Sequence, residues 1–303
     1  MPLTGLLYFR RAKKFFKNTL IYFVIESLIT VIQTLPRPAA LNLGGWVGAI
    51  AFLFPTRERQ KTLDNLKSVW GEKSKREIYS LARQVFMELG KSAADAVCLK
   101  FWTDEDFRKN VWVEGLTRFD SAYKKGKGLV IVTGHLSNFE LIPVYLSRLG
   151  YKGGVIGRQL YDPRLDRIVV DNRVQAGFEN ISSDASPKII MKLLQSGGGL
   201  GVLIDQNSSR VSNLEIDFFG RKANTPKGPF ALACKVGCPV IPIAIVREKL
   251  NCYCILVGEE LRTSSAAGEN GQLTQLAQKA NRFLEDLIKQ YPSQWVWMHK
   301  RWN

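Results

Sequence analysis

The sequence predicts an α/β sandwich with a mostly parallel sheet, preceded by N-terminal membrane-associated helices. Three observations carry that expectation. Strand-like apolar runs alternate with helix-like stretches from Val111 to the end of the chain, the pattern of strands joined by crossover helices. One such run, Val130-Ile131-Val132-Thr133, ends at Gly134-His135, at the C-terminal end of a core strand where open α/β sheets place their chemistry. The first 55 residues join a basic cluster to two apolar segments.

Taken in order, Arg10, Arg11, Lys13, Lys14 and Lys17 precede the apolar run Leu20 to Leu35, and Ala40 to Phe54 follows the Pro36-Arg37-Pro38 break. Glu26 and Gln33 interrupt the first run; a carboxylate mid-span costs up to about 3 kcal/mol on insertion scales. No small-residue cleavage site follows, which disfavours a removed signal peptide. The basic cluster predicts a cytoplasmic N-terminal end, and the first helix either spans the bilayer or lies on it. Arg57 to Lys100 reads as helical, with Ile78, Leu81, Val85, Phe86 and Leu89 at three- and four-residue spacing. Strands are expected at Val111 to Glu114, Leu129 to Thr133, Gly154 to Gly157, Leu200 to Ile204, Leu214 to Phe219, Val240 to Val246 and Tyr253 to Val257. Helices are expected at Phe119 to Lys125, Asn138 to Leu149, Pro163 to Gln175, Pro187 to Gln195, Gly228 to Val236 and Leu273 to Ile288. No repeat or linker interrupts this series, so the partition is membrane-association helices over 1–55 and one catalytic domain over 56–303.

An apolar fraction of 46% excludes a disordered chain. Lys+Arg 43 against Asp+Glu 27 leaves +16, which points to anionic partners. Aromatic residues do not interleave with the basic ones as a base-stacking platform requires, so nucleic acid is not expected. The five cysteines lack zinc-knuckle spacing and read as small buried apolar residues of a reducing compartment. No metal or cofactor is expected.

His135 is one of only two histidines, so a neutral-pH proton acceptor has few places to sit. Glu140, five residues on, is a carboxylate that can orient its imidazole. Ser137-x-x-Glu140 is also a capping box, in which Glu140 serves only backbone donors. The two readings are compatible, because a helix N-terminus beside a base also favours developing negative charge. Gly-x-Ser-x-Gly, phosphate-loop and dinucleotide motifs are absent. A base without its own nucleophile implies direct transfer to an incoming hydroxyl or water.

Gly134-His135-x-x-x-x-Glu140 resembles the His-x-x-x-x-Asp/Glu motif of glycerolipid-type acyltransferases. Within that superfamily the chain resembles the lipid A biosynthesis late acyltransferases, which include mycobacterial phosphatidylinositol mannoside acyltransferases. Further matches are Gly157-Arg158, Arg173, Asp205-Gln206, Thr225-Pro226-Lys227-Gly228-Pro229 and the tail from Gln294 to Arg301. The resemblance implies a glycerolipid-acyltransferase-like fold at the cytoplasmic face of an inner membrane. It implies transfer of a fatty acyl group from acyl carrier protein to a hydroxyl of a lipid A precursor. Transfer from acyl coenzyme A to a phosphatidylinositol mannoside or lysophospholipid is the second reading, and a lipid-binding non-enzyme the third. On this resemblance His135 deprotonates the hydroxyl and Glu140 holds the imidazole. Arg158 and Arg173 meet acceptor phosphates or the oxyanion, and Asp205 and Gln206 position the hydroxyl or a sugar. Lys227 is a phosphate contact at a helix N-terminus, and His299 reads as a packing or interfacial residue. A hydrocarbon groove between sheet and helices is expected to set chain length.

Overall fold

A computed structural model describes residues 22–157, 163–175, 177–262 and 268–302, together with Thr19. The basic N-terminal cluster and Arg158 lie outside these residues. The chain opens with helices α1 (Tyr22–Thr34), α2 (Arg37–Leu53), α3 (Arg57–Val69), α4 (Lys75–Cys98) and α5 (Asp104–Asn110). Strand β1 (Val111–Glu114), helix α6 (Leu116–Tyr123), β2 (Leu129–Thr133), α7 (Leu141–Arg148), β3 (Gly153–Gly157) and α8 (Pro163–Gln175) follow. Then come β4 (Glu179–Ser182), α9 (Pro187–Gln195), β5 (Gly199–Leu203), β6 (Asn213–Phe218), β7 (Arg221–Pro226) and α10 (Gly228–Val236). The last elements are β8 (Val240–Lys249), β9 (Cys252–Val257) and α11 (Glu269–Gln290).

Seven strands form one sheet in the order β1-β9-β8-β2-β5-β3-β4, parallel at every pairing except β8 with β9. The mostly parallel α/β sandwich is therefore as expected. Alternate residues of the central strands enter two separate cores, as the two-residue strand period demands. Val130 and Val132 pack with Phe230 of α10 and Leu276 and Leu284 of α11, whereas Leu129 and Ile131 pack with Phe119 of α6 and Leu141 of α7.

Two strands went unforeseen. β4 is an edge strand whose only fully buried residue is Ile181, too short and polar to show as an apolar run. β6, foreseen from Leu214 to Phe219, pairs with β7 in a hairpin outside the main sheet. Its turn residues Phe219 and Gly220 have φ of 56° and 68°, the signs of a type I′ turn, with phenylalanine where Asn or Asp is usual. The Phe219 N–H donates to Glu285 on α11 at 2.9 Å, which helps hold the turn.

The α2–α4 pair packs with backbone nearly touching backbone. A Cβ at Gly48 would stand 2.0 Å from the Phe86 carbonyl oxygen, and one at Gly90 2.0 Å from that of Gly44. Asp95 of α4 is fully buried and ties both helices to the sheet. It accepts from Arg37 at 2.9 Å, Arg247 at 3.2 Å and the Tyr253 hydroxyl at 2.5 Å. The outer face of this unit leaves Phe23, Val24, Trp46, Ile50, Leu53 and Phe54 exposed. No single helix among the described residues is long and apolar enough to cross a membrane; α2 and α3 pass that test together but meet at a 91° bend. The boundary drawn at residue 55 falls in that bend. None of the five cysteines is joined in a disulfide.

Candidate active site

β2 and β5 are parallel neighbours with Thr133 opposite Leu203. Two residues beyond that pair, on each strand, stand His135 and Asp205. Register alone therefore brings them together at the C-terminal rim of the sheet. The His135 Nδ1 lies 2.8 Å from Asp205 Oδ1, and the His135 backbone N–H donates to Asp205 Oδ2 at 2.7 Å. This close approach needs Gly134, where a Cβ would stand 3.1 Å from Asp205 Oδ2.

Asp205 is fully buried. Burial alone would raise its pKa, but the charge and hydrogen bonds of His135 outweigh that and hold it well below the usual carboxylate range. An ionised Asp205 only accepts, so the bond puts a proton on Nδ1, and in the neutral imidazole the lone pair is then on Nε2. His135 lines a cavity of about 670 Å³ bounded by the C-terminal ends of β3, β4 and β5, by α8 and by Phe139. Its polar wall includes Asp166, Asn180, Ser182, Ser183 and Gln206. An adjoining apolar recess of about 40 Å³ shares Phe139, Glu140 and Arg173 with the cavity and runs between α7 and the sheet, lined by Ile131, Leu146, Val155 and Phe178.

Several expected roles change on these distances. Glu140 does not hold the imidazole. Both of its oxygens are taken by Arg173, through Nε at 2.8 Å and Nη2 at 2.5 Å, and Asp205 occupies the position expected of it. The capping box is not formed either. α7 starts only at Leu141 with Glu140 as its N-cap, and Ser137, at φ 51°, leaves its hydroxyl buried without a hydrogen-bond partner. Arg173 lines the cavity, yet its guanidinium is spent on Glu140 and, at 2.7 Å, on Asn180, so it is not an open phosphate clamp. Gly157 leaves room for that brace, since a Cβ there would stand 2.4 Å from Arg173 Nη1. Asp205 does not face the cavity and cannot position a sugar. Lys227 is the N-cap of α10 and donates to Asn270 at 3.0 Å, outside the cavity lining. Gln206 does line the cavity, with Nε2 3.4 Å from His135 Nε2 and 2.8 Å from His299 Nδ1.

His299 is the packing residue expected from the sequence, but it packs on His135 itself. Its ring meets that of His135 edge to face, with centroids 4.6 Å apart. Burial, then the neighbouring His135 charge, push its pKa down to about 4, so it stays neutral at neutral pH. The tail carries it there as a third, irregular neighbour of the loop that holds His135. Ser137 N–H donates to the Gln294 carbonyl at 2.8 Å and Val296 N–H to the His135 carbonyl at 3.2 Å. From α3, Asn65 donates to the carbonyls of Trp297 and His299.

The chain that places His135 and Asp205 at the rim of a parallel sheet, beside a cavity with one apolar and one polar wall, has clear relatives. The sequence model of the bacterial lipid A biosynthesis acyltransferase family matches residues 9–303. The lipid A biosynthesis palmitoleoyltransferase of Escherichia coli (strain K12) is 24% identical over 285 residues, covering 89% of this chain and 86% of that one. The lipid A biosynthesis lauroyltransferase of the same organism is 23% identical over 91% of this chain and 89% of its own length. A phosphatidylinositol mannoside acyltransferase of Mycolicibacterium smegmatis is 26% identical over 60% of this chain and 59% of its own. This chain is an acyltransferase and belongs to the bacterial lipid A biosynthesis acyltransferase family.

Proposed function

We propose that this enzyme transfers a fatty acyl group from acyl carrier protein to a hydroxyl of a lipid A precursor, with His135 as general base and Asp205 as the group that orients it. The observation that carries the reading is the buried Asp205 bonded to Nδ1, which leaves Nε2 as the acceptor facing the cavity. The acceptor O–H gives its proton to Nε2 while its oxygen attacks the thioester carbonyl. The tetrahedral oxyanion collapses, the C–S bond breaks, and the imidazolium returns the proton to the departing thiolate. The thioester is already activated, so positioning and proton transfer suffice. Gln206 supplies an amide donor beside Nε2, where the acceptor and the carbonyl must meet. The apolar recess takes the start of the acyl chain, and Asn180, Ser182 and Ser183 suit the hydroxyls of a sugar headgroup.

The enzyme works on this reading at the cytoplasmic face of the inner membrane, docked through the exposed apolar residues of α1 and α2. Its charge of +16 suits both an acidic carrier protein and a phosphorylated lipid. The match to a phosphatidylinositol mannoside acyltransferase supports the second reading, a coenzyme A thioester and a mannoside acceptor. Purified enzyme assayed with radiolabelled acyl carrier protein or coenzyme A thioesters, against each acceptor, separates the two. Product only with the carrier-protein donor and lipid A precursor supports the first, and product only with the mannoside overturns it. His135→Ala lowers transfer by about a thousandfold or more on the favoured donor, with thermal unfolding unchanged.

A further inference from the structure

Asp205 can orient an imidazole only if its own carboxylate cannot turn. Its side chain is sealed from solvent, and its two oxygens are held differently. Oδ1 faces His135 Nδ1 alone at 2.8 Å. Oδ2 takes two donors, the His135 backbone N–H at 2.7 Å and the indole N–H of Trp295 at 2.8 Å. Those donors come from segments 160 residues apart, so the carboxylate is clamped from two sides. Trp295 is itself 1% exposed, and its backbone bridges Leu136 in the catalytic loop. It meets Phe218 and Trp297 edge to face, with centroids 5.7 Å and 4.7 Å apart, which fixes the ring plane that aims the N–H.

We infer that Trp295 is a positioning residue of the reaction. Its indole N–H pins Oδ2, so Oδ1 stays in line with Nδ1 and Nε2 keeps its lone pair on the acceptor hydroxyl. Nearby Trp302 is a packing counterpart: it is buried and spends its N–H on the Phe218 carbonyl at 3.1 Å. The role of Trp295 rests on the assignment of His135 and Asp205 above.

The test replaces Trp295 with 3-benzothienylalanine, which keeps the bicyclic shape and puts sulfur where the N–H was. The same replacement at Trp302 is the packing control, and Trp295→Phe is the second variant. Losing a hydrogen bond to a buried carboxylate is expected to lower kcat about tenfold or more. KM stays within about twofold, because the indole touches no substrate. The Trp302 replacement leaves kcat unchanged. Wild-type kcat in the Trp295 replacement, or equal losses at both positions, overturns the inference. A loss confined to KM does the same. Asp205→Asn in the same assay separates the two levels: if it retains full activity the base assignment itself falls. If it is inactive while the Trp295 replacement is not, only the role of Trp295 falls.

Discussion

At the residue scale Asp205 and Glu140 are separated by their partners. Asp205 serves the imidazole and Glu140 serves Arg173. The Arg173 and Glu140 side chains are only 13% and 22% exposed, so each depends on the other for solvation. Glu140→Ala is therefore expected to cost about 3 kcal/mol of stability, because it strands a largely buried guanidinium. A double-mutant cycle with Arg173→Ala should recover a coupling of about 1–3 kcal/mol in denaturant unfolding. His299 gives a second readout. Its folded pKa of about 4 is below the ordinary histidine value, so the folded protein disfavours its protonated form. Stability from this group is full above about pH 6.5, declines as pH falls toward 4, and levels off below, by up to about 3 kcal/mol. His299→Gln is expected to flatten unfolding free energy against pH across that window, and an unchanged slope would refute the assignment. The His135 signal was legible because Gly-His ends an apolar run. The partner was misread because a motif scan pairs residues close in sequence, and Asp205 is 70 positions away. The usable signal was present: β2 and β5 each end in a titratable residue, two positions past residues that pair.

At the element scale, continuous apolar runs gave the central strands with their bounds nearly intact. β2 and β8 are buried on both faces and show no competing period. β4 and β7 were missed for the opposite reason. Their polar residues are set by neighbours rather than by any pattern of their own, and the Phe219-Gly220 turn lacks the usual Asn-Gly signal. α7 begins three residues later than expected, because Ser137 bonds the tail while Phe139 and Glu140 line the cavity and Glu140 binds Arg173. The α2–α4 contact is the element most sensitive to a single atom. Gly48→Val should lower stability by about 3 kcal/mol or more in thermal unfolding, because neither helix backbone can retreat without uncovering Asp95. A variant with unchanged unfolding temperature contradicts that packing account.

At the scale of the whole molecule, the N-terminal helices present an apolar outer face while the candidate cavity opens beside α8. The two are neighbours: the Arg164 guanidinium of α8 sits 4.0 Å from the ring centroid of Tyr22 on α1. On the proposed membrane docking, an acceptor embedded in a bilayer would reach the cavity without leaving the apolar face of α1 and α2. Trp46, 68% exposed, would report on the proposed docking. Its fluorescence should shift to the blue with anionic vesicles, and the binding should weaken with added salt as the basic surface is screened. No spectral change with any vesicle contradicts the orientation. Charge and hydropathy made a basic enzyme with apolar N-terminal helices legible from the sequence, but not which face of α1 and α2 stays uncovered, since that depends on where α4 packs.

Whether Asp205 rather than Glu140 holds the His135 imidazole can be read from the Nδ1 proton of His135. In the proton spectrum this nucleus is expected as a low-field resonance, sheltered by a buried carboxylate 2.8 Å away. The resonance should persist in Glu140→Gln and vanish in Asp205→Asn. Survival in Asp205→Asn together with loss in Glu140→Gln would contradict the account.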